Sequence, residues 1–287
     1  MDGYFEGSQE NNDEDLNMTE LQNRLLDMLK WFDKYCRDHQ LRYYAVGGTL
    51  LVAVRHHGFI PWDDDIDLAL PRDDYNQLNE LLGNKMEGKY FLETVDSEDK
   101  NYCYPYSKLY DTQSTLIENN RNQLKRGIFL DIFPFDGIGD DLSEGMRLFS
   151  KIQNHYNFYL TRIGGYRKGR SFYKNAAVFF SRCIPSLLVD DKQLRITLDK
   201  LCQTYRFESS DYVGNLLGNW RKREIFCRSV IGEPKEYQFE DMVLLGIERY
   251  DEYLSQIYGN WRQLPPKEKQ VSQHDFILLN LKDSYLK

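Results

Sequence analysis

Helical spacing appears first in "NMTELQNRLLDMLKWFDKYCRDH", where Leu21, Leu25, Met28, Phe32 and Tyr35 recur three and four residues apart. That period gathers them on one face, and Thr19 with Gln22 has the spacing of a capping box. "LRYYAV" reads as a short strand of residues suited to a pleated surface. Gly47 and Gly48 follow, and a helix is predicted from Thr49 to a stop at Gly58. "DIDLALP" alternates as a strand, and "RDDYNQLNELLG" returns to helical spacing. Further strands are predicted at 90–95, 102–110, 114–118 and 128–133. Past about residue 140 the period is mainly helical, with basic loops such as "GGYRKGR" and a helix in "ERYDEYLSQIYGNW" that Gly259 ends. The pattern predicts an α/β (α+β) core with a mixed sheet flanked by helices over residues 17–140 and a mostly helical region over 141–287. Residues 1–16, acidic and Asn-rich, read as a disordered tail.

Composition narrows the picture. With 287 residues, 21 Tyr and 16 Phe, the chain can build a sizeable core. A net charge of −8 argues against nucleic acid as the main partner, while leaving room for a local basic pocket. The five cysteines are scattered, without a CxxC pair or a zinc-ligand histidine, and read as reduced thiols. No basic stretch followed by an apolar run marks a signal peptide. "AAVFFSRCIPSLLV", the most apolar stretch, is short and carries Arg182 and Pro185, so no transmembrane segment is predicted. The expected location is cytoplasmic, compatible with peripheral contact at the inner face of the membrane.

"FIPWDDDID" places four aspartates in five positions. On a strand, Ile66, Leu68 and Leu70 point into the core, and Asp65 and Asp67 share the other face. Two ionised carboxylates a strand pitch apart need a cation between them, and their hard oxygens suit Mg²⁺ or Mn²⁺. An EF-hand fits poorly, because Leu68 stands at the invariant glycine position and Asp74 at that of the bidentate glutamate. A solvated acidic turn is the other reading, and the alternation with core aliphatics weighs against it. Upstream, "YYAVGGTLLVAVRHHG" runs from strand through Gly-Gly-Thr into a helix. Alone, Gly-Gly marks a tight turn; before a helix, the close-approaching backbone and free N–H groups can also cradle a phosphate. Asp65 and Asp67 follow Thr49 by 16 and 18 residues, which sets an anion site beside a metal site. "GIFLDIFPFD" offers a third carboxylate, Asp131, between Phe129 and Phe133 on the face opposite Ile128, Leu130 and Ile132. Such an aspartate is costly to bury unless it is paired or metal-bound, although it could also cap a loop. Asp136 is assigned to a turn after Pro134.

"AVGGTLLVAVRHHGFIPWDDDIDLALPRDDY" resembles the signature of the LicD family of phosphocholine transferases, related to fukutin and fukutin-related protein. "SKLYDTQST", "GIFLDIFPFDGI" and "YDEYLSQIYGNWRQLPPKEK" resemble its later blocks, so the resemblance runs from about residue 20 to 275. It implies a nucleotidyltransferase-like fold, with Gly47, Gly48 and Thr49 at the phosphates and Asp65, Asp67 and Asp131 at the metals. It further implies a CDP-choline or other CDP-alcohol donor and a glycan acceptor, lipid-linked in some members. Absence of an anchor or a cysteine-rich zinc insert favours the soluble bacterial type over the fukutin-related one. Arg55 and Lys108 are the basic residues assigned to phosphate, with surface solvation as the bland alternative. Tyr102, Tyr104 and Tyr106 would share a face with Lys108 as a choline cage or, more simply, as packing; Pro105 argues against a central strand there. His56 and His57 suit a helix end, and His274 has no visible partner. Two other functions use the same carboxylates or none: a nucleotidyltransferase that makes a CDP-alcohol or modifies a small molecule or protein, and a binding module with a dead site.

Overall fold

The computed structural model describes residues 18–118, 123–163, 178, 189–270 and 276–287. The expected tail, the "GGYRKGR" loop, Cys183 and His274 lie outside them. Among the described residues are seven helices: α1 (Met18–Asp38), α2 (Gly47–His56), α3 (Arg72–Leu82), α4 (Leu142–Ile163), α5 (Asp191–Cys202), α6 (Arg228–Ile231) and α7 (Tyr250–Tyr258). The strands are β1 (Tyr44–Ala45), β2 (Asp67–Pro71), β3 (Met86–Glu87), β4 (Tyr90–Glu93), β5 (Ser107–Asp111), β6 (Thr115–Glu118), β7 (Lys125–Arg126), β8 (Phe129–Gly139), β9 (Tyr212–Gly214), β10 (Ile225–Cys227), β11 (Lys235–Phe239), β12 (Met242–Gly246) and β13 (Phe276–Asn280). The main sheet is mixed, in the order β11-β12-β1-β2-β8-β5-β4-β3, with β9 and β10 continuing from the far half of β8. This is the expected α/β class.

Helix α1 buries Leu21, Leu25, Met28 and Phe32 as its period predicts, but Cys36 rather than Tyr35 completes the inner face. Tyr35 is partly exposed and stacks on Trp31 and His39. Gln22 does not cap the helix. Its amide donates to the carbonyls of Ile60 and Asp63, at 2.9 Å each, and so tethers the loop that leads into the aspartates. Helix α2 begins at Gly47 and ends with His57, not Gly58, in the left-handed conformation (φ 59°). Asp74 lies on α3 and accepts from Arg42, which removes the EF-hand reading.

Strand β8 runs through Pro134 because of where its partners stop. The Asp131 N–H donates to the Ile66 carbonyl at 3.0 Å, on the β2 side. Alternation then turns position 134 to the opposite edge. There β5 has already ended at the Ser107–Ile132 pair, and β9 begins only at Asp136. The missing proline N–H therefore costs no ladder bond. Asp136 is thus a strand residue, not a turn residue. Its carboxylate is buried and takes both Nε and Nη2 of Arg72, at 2.6 and 2.8 Å. Arg72 also reaches Asp199 of α5 at 2.7 Å, so one guanidinium joins α3, β8 and α5.

Helix predominates over strand among the described elements past residue 141, as expected, yet several short strands there were not anticipated. The β11–β12 hairpin docks on the core, with β12 parallel to β1 through Ala45 and Gly246. Strand β13 pairs with β6. Helices α4 and α5 enclose a second apolar cluster around Ile138, Phe149, Ile152 and Tyr159. Arg195 of α5 is buried and donates to the carbonyls of Val95, Ser97 and Tyr102, which fixes the tyrosine-rich segment before β5. The described cysteines are free thiols, three of them buried. Among the described residues no helix is long and apolar enough to cross a membrane.

Candidate active site

Three adjacent strands put the candidate residues in one row. Asp67 of β2 is the register partner of Asp131 of the parallel strand β8. Asp131 is in turn opposite Lys108 of the antiparallel strand β5. Asp65 lies just before β2. All four side chains line one cavity of about 220 Å³, together with Gly47 at the start of α2. The aspartates and the glycine turn are therefore neighbours in space, as expected.

Local bonds define what each residue can do. The Val46 N–H donates to the Asp67 carbonyl at 3.1 Å, and the Asp67 N–H donates to the Thr49 hydroxyl at 2.8 Å. Thr49 is buried and does not line the cavity, so its side chain clamps β2 to α2 rather than reaching a phosphate. The N-cap residue Val46 provides no side-chain cap, which leaves the helix start to other donors and acceptors. Gly47 has φ +53°, and a Cβ on it would stand 3.2 Å from Asp67 Oδ2. A Cβ on Gly48 would meet nothing within 4 Å. Gly48→Val should therefore fold nearly normally, with a melting temperature close to the native one; a drop of many degrees would show that the turn itself requires glycine there.

The electrostatics are lopsided. Burial first, then the charges of Asp65 and Asp131, push the Asp67 carboxyl well above the usual carboxylate range. Lys108 is buried, with Nζ 2.9 Å from Asp131 Oδ1 and 3.9 Å from Glu118 Oε2. The ammonium also sits 3.3 Å from the Phe129 ring centroid and 4.0 Å from that of Tyr104. Burial works against its charge, but Asp131 and Glu118 outweigh burial and hold Lys108 above its usual range. The Tyr106 hydroxyl donates to Asp131 Oδ2 at 3.4 Å.

Among the described residues, no three His, Cys, Asp or Glu side chains are grouped so as to hold a metal ion. The donor set still fits Mg²⁺ or Mn²⁺, which take one or two carboxylates and fill the shell with water and phosphate oxygens. Asp65 and Asp67 supply those carboxylates, and the charge crowding at Asp67 favours a cation there. Asp131 differs from the expected third ligand in that one of its oxygens already meets Lys108. Arg55 does not line the cavity. It donates to the Trp261 carbonyl at 2.8 Å, so its expected phosphate contact gives way to holding the segment after α7. Tyr104 and Tyr106 line the cavity, whereas Tyr102 is buried behind them.

The opposite wall was not foreseen. It consists of Asn215, Gly218, Trp220 and Glu224 between β9 and β10, with Tyr253 and Tyr258 of α7. Tyr253 receives the Gly47 N–H at 3.2 Å. Gly259 ends α7 as expected, with φ 74°, and Tyr258 before it lines the cavity.

Residues 40–161 match the family model described as LicD/FKTN/FKRP, nucleotidyltransferase domain. Over 268 residues the chain is 28% identical to the lipopolysaccharide cholinephosphotransferase LicD of Haemophilus influenzae, covering 90% of this chain and 96% of that protein. A local similarity of 44% over 43 residues links it to the human ribitol 5-phosphate transferase FKRP, covering 15% of this chain and 9% of that one. An uncharacterised protein of Rickettsia prowazekii, RP689, is 36% identical over 58 residues, 20% of this chain and 22% of its own.

Proposed function

We propose that this protein, whose residues 40–161 match the LicD family model, transfers phosphocholine, or a related phospho-alcohol, from a CDP-activated donor to a glycan hydroxyl. The acceptor is a cell-surface glycan such as a teichoic acid, lipopolysaccharide or capsule precursor, and CMP is released. The chemistry in the name of the Haemophilus relative supports the phosphocholine, and the long coverage of both chains supports carrying it across. The observation that carries the reading is the row Asp67–Asp131–Lys108 at the start of α2, which combines carboxylates for a cation with an ammonium for a phosphate.

Mg²⁺ or Mn²⁺ held by Asp65 and Asp67 would neutralise the donor diphosphate and polarise the reacting phosphoryl group. Around it, this chain's own residues perform the transfer. Gly47 and Gly48 let the diphosphate approach the first turn of α2, where the helix dipole favours negative charge. Lys108, kept protonated by its carboxylates, offsets charge on the phosphoryl oxygens. The acceptor oxygen attacks the phosphorus that bears the alcohol, the bond from that phosphorus to the bridging oxygen breaks, and CMP leaves with the bridging oxygen. Asp131 takes the acceptor proton on Oδ2, since Lys108 holds Oδ1. At about 220 Å³ the cavity is smaller than the roughly 300–1,000 Å³ common for ligand pockets. It therefore suits the reacting end of the donor, with the nucleoside towards the mouth. A cytoplasmic location, at the inner face of the membrane where lipid-linked glycans are built, accords with this chemistry.

The base assignment has its own test. Asp131→Asn should bind CDP-choline with Mg²⁺ almost as tightly as the native protein while its rate falls by about a hundredfold or more. Excess Mn²⁺ should restore little. An affinity loss of tenfold or more, about 1.4 kcal/mol, would move Asp131 to the metal instead. For the reaction as a whole, the protein is incubated with CDP-choline, Mg²⁺ and a panel of surface glycans, and products are weighed by mass spectrometry. CMP with a phosphocholine-bearing glycan is expected. Pyrophosphate from CTP and phosphocholine, without glycan product, would replace transfer by nucleotidyl transfer.

A further inference from the structure

Most buried carboxylates of this fold meet a cation. Asp136 has Arg72, Glu93 has Arg126, Asp111 has Arg24 and Asp131 has Lys108. Glu224 is different. It ends the 3₁₀ turn Arg221–Glu224, is buried, and lines the cavity. Its bonds come from the Trp220 N–H, at 2.8 Å, and the Asn215 side chain, which are both neutral. The adjacent arginines turn away: Arg221 donates to Asn157 Oδ1 at 3.0 Å, and Arg223 to the Ile257 carbonyl at 3.1 Å. Burial pushes the Glu224 carboxyl up to about 7. A Cβ on Gly218 would overlap both carboxylate oxygens, so the glycine keeps that space open.

Aromatic rings flank this carboxylate. Trp220 lies edge to face with Tyr258, their centroids 5.2 Å apart, and stays 42% exposed at the cavity although it is large and apolar. Tyr258 also stands between the two halves of the site. Its hydroxyl would be 3.7 Å from a Cβ on Gly47, and it feels the charges of both Asp67 and Glu224. The other aromatic wall is already taken, since Lys108 occupies the faces of Tyr104 and Phe129. Arg221 lies 5.5 Å from the Tyr156 ring. A buried carboxylate with no cation among the described residues, beside a tryptophan open to the cavity, is the composition of a receptor for a weakly hydrated organic cation.

We infer that Glu224, Trp220 and Tyr258 receive the alkylammonium head of the transferred group, so that this site selects cationic phospho-alcohols over polyol phosphates. The inference rests on the transferase reading for the identity of the ligand and names the determinant of its specificity. With the phosphate at Gly47 and the carboxylate pair, the alcohol extends past Tyr258 to Glu224. A neutral polyol there would leave the carboxylate without a counter-charge.

The test uses the full chain with Mg²⁺ and compares CDP-choline with CDP-ribitol by CMP release. The native protein should favour CDP-choline in kcat/KM. Glu224→Gln and Trp220→Leu should each reduce that ratio tenfold or more, and melting temperatures identify any loss due to unfolding. Binding of tetramethylammonium, followed by calorimetry, should weaken tenfold or more in both variants and exceed binding of the uncharged 3,3-dimethylbutanol in the native protein. Equal losses with both donors, or a native preference for CDP-ribitol, would overturn the assignment while leaving transfer intact. If no CDP-alcohol yields CMP, the transferase reading falls, and tetramethylammonium binding still decides the cation site: Glu224-dependent binding supports it, and binding equal in Glu224→Gln overturns it.

Discussion

Asp67→Asn and Asp65→Asn should each lower CMP release by about a hundredfold or more while leaving the protein at least as heat-stable without metal. Each change keeps the side chain's shape and removes a charge that a cation needs. The stability half follows from crowding. Asp67 is pressed by burial and by Asp65 and Asp131, and Lys108 offsets only part of this, so neutralising Asp67 relieves repulsion in the metal-free protein. CMP release and melting temperature should be measured on the same preparations. Activity above about a tenth of the native level in either variant, against the hundredfold loss expected, would end the assignment of these carboxylates to a metal.

The largest effect on folding should come from Lys108→Met. The side chain fits the space, but Asp131 and Glu118 then face each other across a buried site without their ammonium. Breaking a buried pair by removing one partner costs about 3–5 kcal/mol. Urea unfolding, with an unchanged slope, should show that loss directly. Adding Asp131→Asn should recover much of it, because the stranded charge goes too. A cost below about 1 kcal/mol would place Lys108 among solvated surface cations. Turnover should collapse in Lys108→Met even where the protein remains folded, as no other cation lines the cavity among the described residues.

Alternation was enough to pair Asp65 with Asp67 and to isolate Asp131 between phenylalanines, because side-chain direction along a strand is a local property. That Asp67 and Asp131 are direct partners is a matter of register between strands distant in sequence, which alternation does not encode. Lys108 could be noticed but not paired for the same reason. Gln22 shows the reverse error: its spacing suits a local helix cap, and its amide instead holds a distant backbone. The far wall was illegible for other reasons. Glu224 follows "RKR" and looks like a solvated charge, and Tyr253 and Tyr258 are five apart, a spacing that suggests neither one face nor a site. Short strands such as β12 lack the length to declare themselves, although the α/β class survived their omission.

The parallel pairing of β1 with β12 also sets an order of events at the ribosome. Ala45 leaves the exit tunnel about 200 residues ahead of its neighbour Gly246, an interval of roughly 10–40 s at ordinary rates of synthesis. Throughout that time β1 presents an unpaired edge, and the aspartates stand without the wall that α7 supplies. The nascent chain is thus exposed to edge-to-edge association until its last quarter emerges. Slower translation should lower the soluble yield of this protein, and a chaperone that shields the early edge should restore it.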